Sequence, residues 1–481
     1  MIIIYFLLLF LILIRLLRFL AVVQQKEYRL DRLATYFNSE SGKRDLIKIW
    51  PAPKDLTRTG LKRPVRTMRV LVIGGATLLV IFLLYLIIFF LADTDLVKLT
   101  FWSLVLVFLP LLVMLVMLPT SIVAMIMTWI ELQQASQKIS RQKPIVIGIT
   151  GSYGKSSTKQ LLAHLLQAKF TVFATPKSFN TKYSVAKSVN NFFFDQEVAI
   201  LEYGAYSQGE IKTLAKYLTP TLAIITGFAP QHLDLFGSQE NIIKAKRELI
   251  TAMEKNSFVF ANAQNRGVRE ICQVAGYQIV NYSGKNSQVV FDQVTLDETG
   301  RLSFTWQNQT VKTQLIGRHY LEIASAAIAV AQHLGLTQQQ IVQQLATFKP
   351  TSNFITTNLT SQGALIINDG LTTNPTGFKA AVELIKEIKQ DRDAILVTGG
   401  IVDLGVKETA IHLELAKVCA QSINQVWYFG LVGKSEFKQV FADRLLDEES
   451  LIKEKIDHLS ANDLVLLEGK QPLWLLKSLK I

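Results

Sequence analysis

Apolar and polar residues are unevenly distributed along this chain of 481 residues, and the unevenness divides it in two. Residues 70–92 (VLVIGGATLLVIFLLYLIIFFLA) contain no charged side chain, and neither do residues 99–130. A helix of about 20 apolar residues crosses the hydrocarbon core of a bilayer, so both runs read as transmembrane helices. Only DTDLVK, residues 93–98, lies between them, a tight hairpin. A third run, residues 1–14 (MIIIYFLLLFLILI), continues past Arg15 and Arg18 to Val23. A cleaved signal peptide has basic residues before its apolar stretch and small residues at a cleavage site after it. This run has neither, and reads as a first membrane helix over about residues 1–23.

From Ser136 onward the pattern changes. Short apolar runs such as IVIGIT (145–150), VAILEYG (198–204), LAIITG (222–227) and FVFANA (258–263) alternate with stretches of helical periodicity. A second alternating block starts near Pro350, with ALIIND (364–369), AILVTGG (394–400), VWYFG (426–430) and LVLLEG (464–469). Strands alternating with helices predict α/β architecture, with parallel sheets and crossover helices.

Composition sharpens this division. The chain is 49% hydrophobic with a net charge of +13. The segment from Gln24 to Arg69 holds twelve Lys or Arg against five acids. Basic loops stay on the cytoplasmic side of a membrane, which orients the helices: basic loop inside, hairpin outside, everything after about Glu131 inside. The same charges attract anionic lipid. They cluster beside membrane helices, which argues against a nucleic-acid partner. Two cysteines, Cys272 and Cys419, are too few and too far apart for a disulfide framework or a zinc finger.

The clearest chemical signal is GITGSYGKSSTK, residues 148–159, which follows a strand and opens a helix. That is the setting of a phosphate-binding loop, in which glycines let backbone N–H groups approach phosphate oxygens. Thr150, Gly151, Ser152, Tyr153, Gly154, Lys155, Ser156 and Ser157 are the expected ATP contacts. Lys155 is expected to reach the outer phosphates and the Ser156 hydroxyl to bind Mg²⁺. The strict pattern wants glycine at position 149, which is Ile149 here; the glycine is Gly148.

The spacing Gly148-x-Thr150-Gly151-x-x-Gly154-Lys155-Ser156 resembles the Mur ligases of peptidoglycan synthesis. EYGAYSQGEI (202–211) and HLDLFGSQENIIKAKRELI (232–250) look like two blocks of the member that adds D-alanyl-D-alanine to a UDP-N-acetylmuramoyl-tripeptide. GRH (317–319), DGLTTNP (369–375) and GGIVDLGVKETAIH (399–412) match its later motifs more loosely. The resemblance implies an ATP-dependent carbon–nitrogen ligase working through an acyl phosphate. Taken with the apolar runs, it gives three parts: a membrane anchor over 1–135, a P-loop ATP-binding domain over 136–349, and a Rossmann-like C-terminal domain over 350–481. Glu202, His232 and Lys246 are implied metal ligands, Lys246 as a carbamate, with Lys155, Lys246 and His232 catalytic. Asn180 and Thr181 match a substrate loop, Asn262 a position near the nucleotide, and His319 and Asp369 positions at the junction with the last domain.

The departures are specific. The family's asparagine four residues after GRH is Ile323, its phosphate-contacting arginine has no counterpart near Asn353, and its D-S-Y-N-A-N-P reads DGLTTNP. The family's UDP-holding N-terminal domain is not visible, and the membrane segment stands in its place. Two other readings therefore stay open: a Mur-like ligase acting on a lipid-linked or other carboxylate, and a catalytically weak nucleotide-binding scaffold at the membrane.

Overall fold

A computed structural model describes residues 2–38, 40–51, 63–229, 233–284, 286–351, 354–370, 374–402, 404 and 407–479. The chain forms two compact units, residues 1–130 and 131–481.

In the first unit, helices Ile2–Gln25, Met68–Leu91 and Asp95–Gln142 are long and apolar enough to cross a membrane. Leu16, Phe19 and Leu20 of the first helix pack with Val70 and Ile73 of the second and Leu109, Val113 and Met117 of the third. The segment expected as a basic loop is partly helical, over Leu30–Asn38 and Glu40–Ile47. The two arginines inside the first apolar run explain this. Arg15 donates to the carbonyl of Leu46 (2.6 Å) and Arg18 pairs with Asp45 (3.3 Å), so their charges need a folded partner.

The third helix does not end near residue 130 as expected, but runs on to Gln142 through Pro110 and Pro119. Its last turns carry Leu132, Ala135 and Ile139, spaced on one face, and these are buried in the core of the second unit. Asn190 Nδ2 donates to the Glu131 carbonyl (3.0 Å), and Lys138 Nζ donates to that of Asn190 (2.9 Å).

The second unit contains two six-stranded sheets. The first comprises β1 (Ile145–Thr150), β2 (Val172–Ala174), β3 (Val198–Glu202), β4 (Leu222–Ile225), β5 (Phe258–Asn262) and β6 (Gln278–Ser283), in the order β2-β3-β1-β4-β5-β6. All its pairings are parallel. Parallel sheets are covered on both faces, and the strands obey this. Ile147 and Ile149 face helices Lys155–Leu166 and Tyr320–His333, whereas Val146, Ala199 and Leu201 face Lys182–Phe192, Glu210–Tyr217 and Gln239–Thr251.

An antiparallel sheet of β7 (Asp292–Leu296), β8 (Arg301–Trp306) and β9 (Gln309–Ile316) follows, which the expected β–α alternation did not include. It buries Leu302, Phe304 and Trp306 on one side, with polar residues alternating on the other. The second large sheet comprises β10 (Thr356–Leu359), β11 (Leu365–Asp369), β12 (Asp393–Thr398), β13 (Gln425–Tyr428), β14 (Leu445–Leu446) and β15 (Asp463–Glu468). Its order is β10-β11-β15-β12-β13-β14, parallel except for the edge strand β10. The architecture is α/β with mixed sheets.

Candidate active site

Catalytic groups in an open parallel sheet gather at the carboxyl ends of the strands. Here β1 runs into the loop Gly151–Gly154 and then the helix Lys155–Leu166. Gly154 stands at the helix N-cap with φ +79°, a left-handed conformation that a side chain would strain. The loop is fixed from β4 and the residues after it. Thr226 Oγ1 donates to the Tyr153 carbonyl (2.5 Å), Ser152 N–H to that of Gly227 (2.6 Å), and Ser152 Oγ to that of Ala229 (2.8 Å). The Tyr153 hydroxyl accepts from Asn265 Nδ2 (3.1 Å). Gly148 serves a different end: a Cβ there would meet Pro220 at 3.0 Å, so it permits close packing inside the sheet.

The first turn of that helix faces the end of β3. The register pairs Ile149 with Glu202, which sets the carboxylate beside the loop. Ser156 Oγ donates to Glu202 Oε2 (3.1 Å), and Lys159 Nζ pairs with Oε1 (2.6 Å). Ser156 and Lys159 are three apart in a helix, hence on one face. Glu202 is fully buried and Lys159 1% exposed. Lys155 Nζ donates to the Gly151 carbonyl (2.8 Å). Burial lowers its proton affinity, against the pull of Glu202.

Lys246 arrives from helix Gln239–Thr251, capped by Ser238 Oγ accepting from Asn241 N–H (3.2 Å). It is 7% exposed, and burial, then the neighbouring Lys155, push its proton affinity well below the usual lysine range. A lysine so placed is held toward the neutral amine, the form that reacts with carbon dioxide. Lys155, Ser156, Glu202 and Lys246, scattered over 92 positions of sequence, are thus brought together.

The loop before helix Lys182–Phe192 closes on the same strand end. Gly204 N–H donates to the Asn180 carbonyl (3.0 Å), and a Cβ at Gly204 would meet the Asn180 side chain at 2.7 Å. Thr181 is first a helix cap, its hydroxyl accepting from Ser184 N–H in a capping box. Asn262 is also committed within the fold: Nδ2 donates to Glu322 Oε2 (2.9 Å), and Oδ1 accepts from Ser283 (2.5 Å). His232 and Asn353 lie outside the described residues.

His319 and Asp369 are placed by two other sets of elements. His319 is held neutral by burial, its proton affinity pushed down to about 4. With Arg318 it lines a cavity of about 550 Å³ whose other wall is Ala380, Glu383, Leu384, Lys386 and Glu387 of helix Pro375–Ile388. Ile323 is partly buried against the main core, an apolar role where the family carries an amide. Asp369 ends β11 in register with Glu468 at the end of β15. Burial first, and Asp369 second, raise the Glu468 carboxyl well above the usual carboxylate range.

Sequence reading missed Glu322, Glu468 and Lys159. The last had a signal: a lysine one turn after Lys155 on the face of Ser156.

Two family models match the chain: Mur ligase middle domain over residues 149–331, and Mur ligase glutamate ligase domain over 354–471. The chain belongs to the Mur ligase family. Mur ligases are ATP-dependent ligases, and they use ATP and Mg²⁺.

Among its relatives is the UDP-N-acetylmuramoyl-tripeptide–D-alanyl-D-alanine ligase of Bacillus subtilis (strain 168), 27% identical over 337 residues, covering 68% of this chain and 73% of that protein. The ligase of the same name from Rickettsia prowazekii is 28% identical, covering 70% and 78%. In fold, this Mur ligase is similar to MurF from Acinetobacter baumannii, with TM-score 0.65 and 22% identity over 73% of this chain and 79% of that one. It is also similar to MurF ligase from Thermotoga maritima in complex with ADP, with TM-score 0.63 and 24% identity over 71% and 80%.

For Mg²⁺, the described part of the site offers one buried carboxylate (Glu202), one hydroxyl (Ser156) and Lys246. Among the described residues no group of three or more His, Cys, Asp or Glu forms a ready-made metal cage. The set fits an ion that keeps water and phosphate oxygens as its other ligands, which is the habit of Mg²⁺. Lys155, Lys159 and Lys246 against the single acid Glu202 fit a polyanion.

Proposed function

We propose that this Mur ligase joins D-alanyl-D-alanine to UDP-N-acetylmuramoyl-tripeptide at the cytoplasmic face of a membrane crossed by the three apolar helices of its first unit. The observation that carries the ligase reading is the meeting of Lys155, Ser156, Glu202 and Lys246 at the loop Gly151–Gly154. The choice of substrates rests on the relatives' names.

Each residue has a defined task. The backbone N–H groups of the loop other than that of Ser152, which is held by Gly227, and those of the first turn of helix Lys155–Leu166 bind the ATP phosphates. Lys155 offsets their charge as the terminal phosphoryl group moves to the acceptor carboxylate. Ser156 and Glu202 hold Mg²⁺, which when bound neutralises phosphate oxygens. Lys246, as a carbamate, adds a negative ligand where the unmodified amine would add none. Asn180 borders this site and orients the acceptor. The test is phosphate release from ATP that requires both UDP-N-acetylmuramoyl-tripeptide and D-alanyl-D-alanine. Release with neither or only one of them would sink the assignment.

A second reading is favoured by the three apolar helices: the acceptor is lipid-linked and met at the bilayer, where tethering raises its effective concentration. Comparing soluble and lipid-linked acceptors with the full chain in membranes decides between them.

Two further results are expected. A reporter fused after Glu131 should behave as cytoplasmic and one within Asp93–Lys98 should not; the reverse pattern would remove the ligase from cellular ATP. Stripping carbon dioxide should lower turnover by about a hundredfold, the scale of one lost charge-stabilising contact, and bicarbonate should restore it. Lys246→Ala should be slow with or without bicarbonate. Full activity without carbon dioxide would mean that Lys246 acts as a plain amine.

A further inference from the structure

Lys159 is the one lysine of this cluster to which no role has been given. It is 1% exposed and its ammonium has two partners in the structure: Glu202 Oε1 at 2.6 Å and the backbone carbonyl of Lys177 at 2.5 Å. It therefore bridges two separate pieces of the site. One is the carboxylate whose other oxygen faces Ser156 (3.1 Å). The other is the loop that three residues later supplies Asn180. The loop is under tension at this point, because Lys177 is a non-glycine residue with φ +49°. That conformation is costly for a residue with a Cβ, and persists only where surrounding contacts hold it.

We propose that Lys159 is a positioning residue that clamps Glu202 into one-oxygen presentation to the metal and transmits the state of the metal site to the Lys177–Thr181 loop. This rests on reading Ser156 and Glu202 as the holders of Mg²⁺. The clamp works by geometry. With Oε1 engaged by Lys159, only Oε2 is left to face the Ser156 hydroxyl, so the carboxylate acts as a single-oxygen ligand of fixed direction. It works against affinity, because a fixed positive charge lies one carboxylate width from the metal position and like charges repel. Removing the ammonium should therefore tighten cation binding while uncoupling the loop. A residue that merely filled space would do neither.

The test uses the full chain in detergent, with ADP present and Mn²⁺ as the probe, read by electron paramagnetic resonance. Lys159→Met, close in length but uncharged, should bind Mn²⁺ at least about threefold more tightly than the wild type, since a nearby like charge has gone. In the wild type, Mn²⁺ with ADP should slow amide exchange over residues 175–181 relative to ADP alone, and in Lys159→Met this slowing should disappear. The exchange measurement on the wild type needs no variant to fold, and loop exchange indifferent to Mn²⁺ overturns the coupling. Mn²⁺ affinity in folded Lys159→Met that is unchanged or weaker overturns the clamp. A wild type that binds no Mn²⁺ in the presence of ADP instead overturns the metal reading on which both rest.

Discussion

Lys155→Ala is expected to lower the rate of ATP turnover by at least about a hundredfold, the scale seen when one charge-stabilising contact to a transition state is removed. Its ammonium stands at the N-terminus of helix Lys155–Leu166, donating to the Gly151 carbonyl across the turn that approaches the phosphates. Stability should respond differently. Burial already disfavours the charged form of Lys155, so truncation removes a group whose desolvation opposed folding. The thermal midpoint should hold or rise while kcat and kcat/KM fall together, the mark of an interaction made only in the transition state. Wild-type turnover in the variant would mean that this loop is not where ATP reacts. A collapse of the midpoint would mean that Lys155 is structural.

Glu202→Ala is expected to damage both activity and stability. The carboxylate is fully buried, and its removal strands Lys159, whose side chain is 2% exposed, without a counter-ion. Breaking a buried ion pair from one side typically costs about 3–5 kcal/mol, because the remaining charge stays desolvated. Urea unfolding of the second unit measures this, and the double variant Glu202→Ala with Lys159→Met should recover much of the loss, since no stranded charge remains. Turnover should not recover in the double variant, because the proposed Mg²⁺ ligand is still missing. Recovery of turnover would remove Glu202 from the metal site, and a single variant as stable as the wild type would contradict the buried pair.

The contrast between these variants shows which parts of the site were legible in the chain. Lys155 and Ser156 were singled out from GITGSYGKSSTK, because a loop that binds phosphate through its backbone needs glycines and a lysine at fixed local spacing; Glu202 was singled out by the resemblance of EYGA to a family block. Asn180 was found in a matching block. Lys159 was passed over because its value lies in Glu202, 43 positions away, and in a carbonyl that has no side-chain signature. Glu322 and Glu468 were missed for the same reason. Glu468 was part of an apolar strand, and only its register with Asp369 sets two carboxyl groups side by side.

The sequence by itself determined the elements whose signals are local. Long uncharged runs produced the three apolar helices, whose starts near residues 1, 70 and 99 agree with Ile2, Met68 and Asp95 within a few residues. Short apolar runs produced the central strands β1, β3, β4 and β5, because a strand covered on both faces is apolar along most of its length. Tertiary structure decided what depends on partners far along the chain. It carried the third helix past residue 130 to Gln142, because Leu132, Ala135 and Ile139 find a core there. It folded part of the basic segment, because Arg15 and Arg18 needed acceptors at Leu46 and Asp45. It also set Lys155 and Lys159 beside one carboxylate, with Lys246 next to Lys155. Like charges in such numbers have no local stability of their own, and are held together only by a sheet and helices whose packing is already complete.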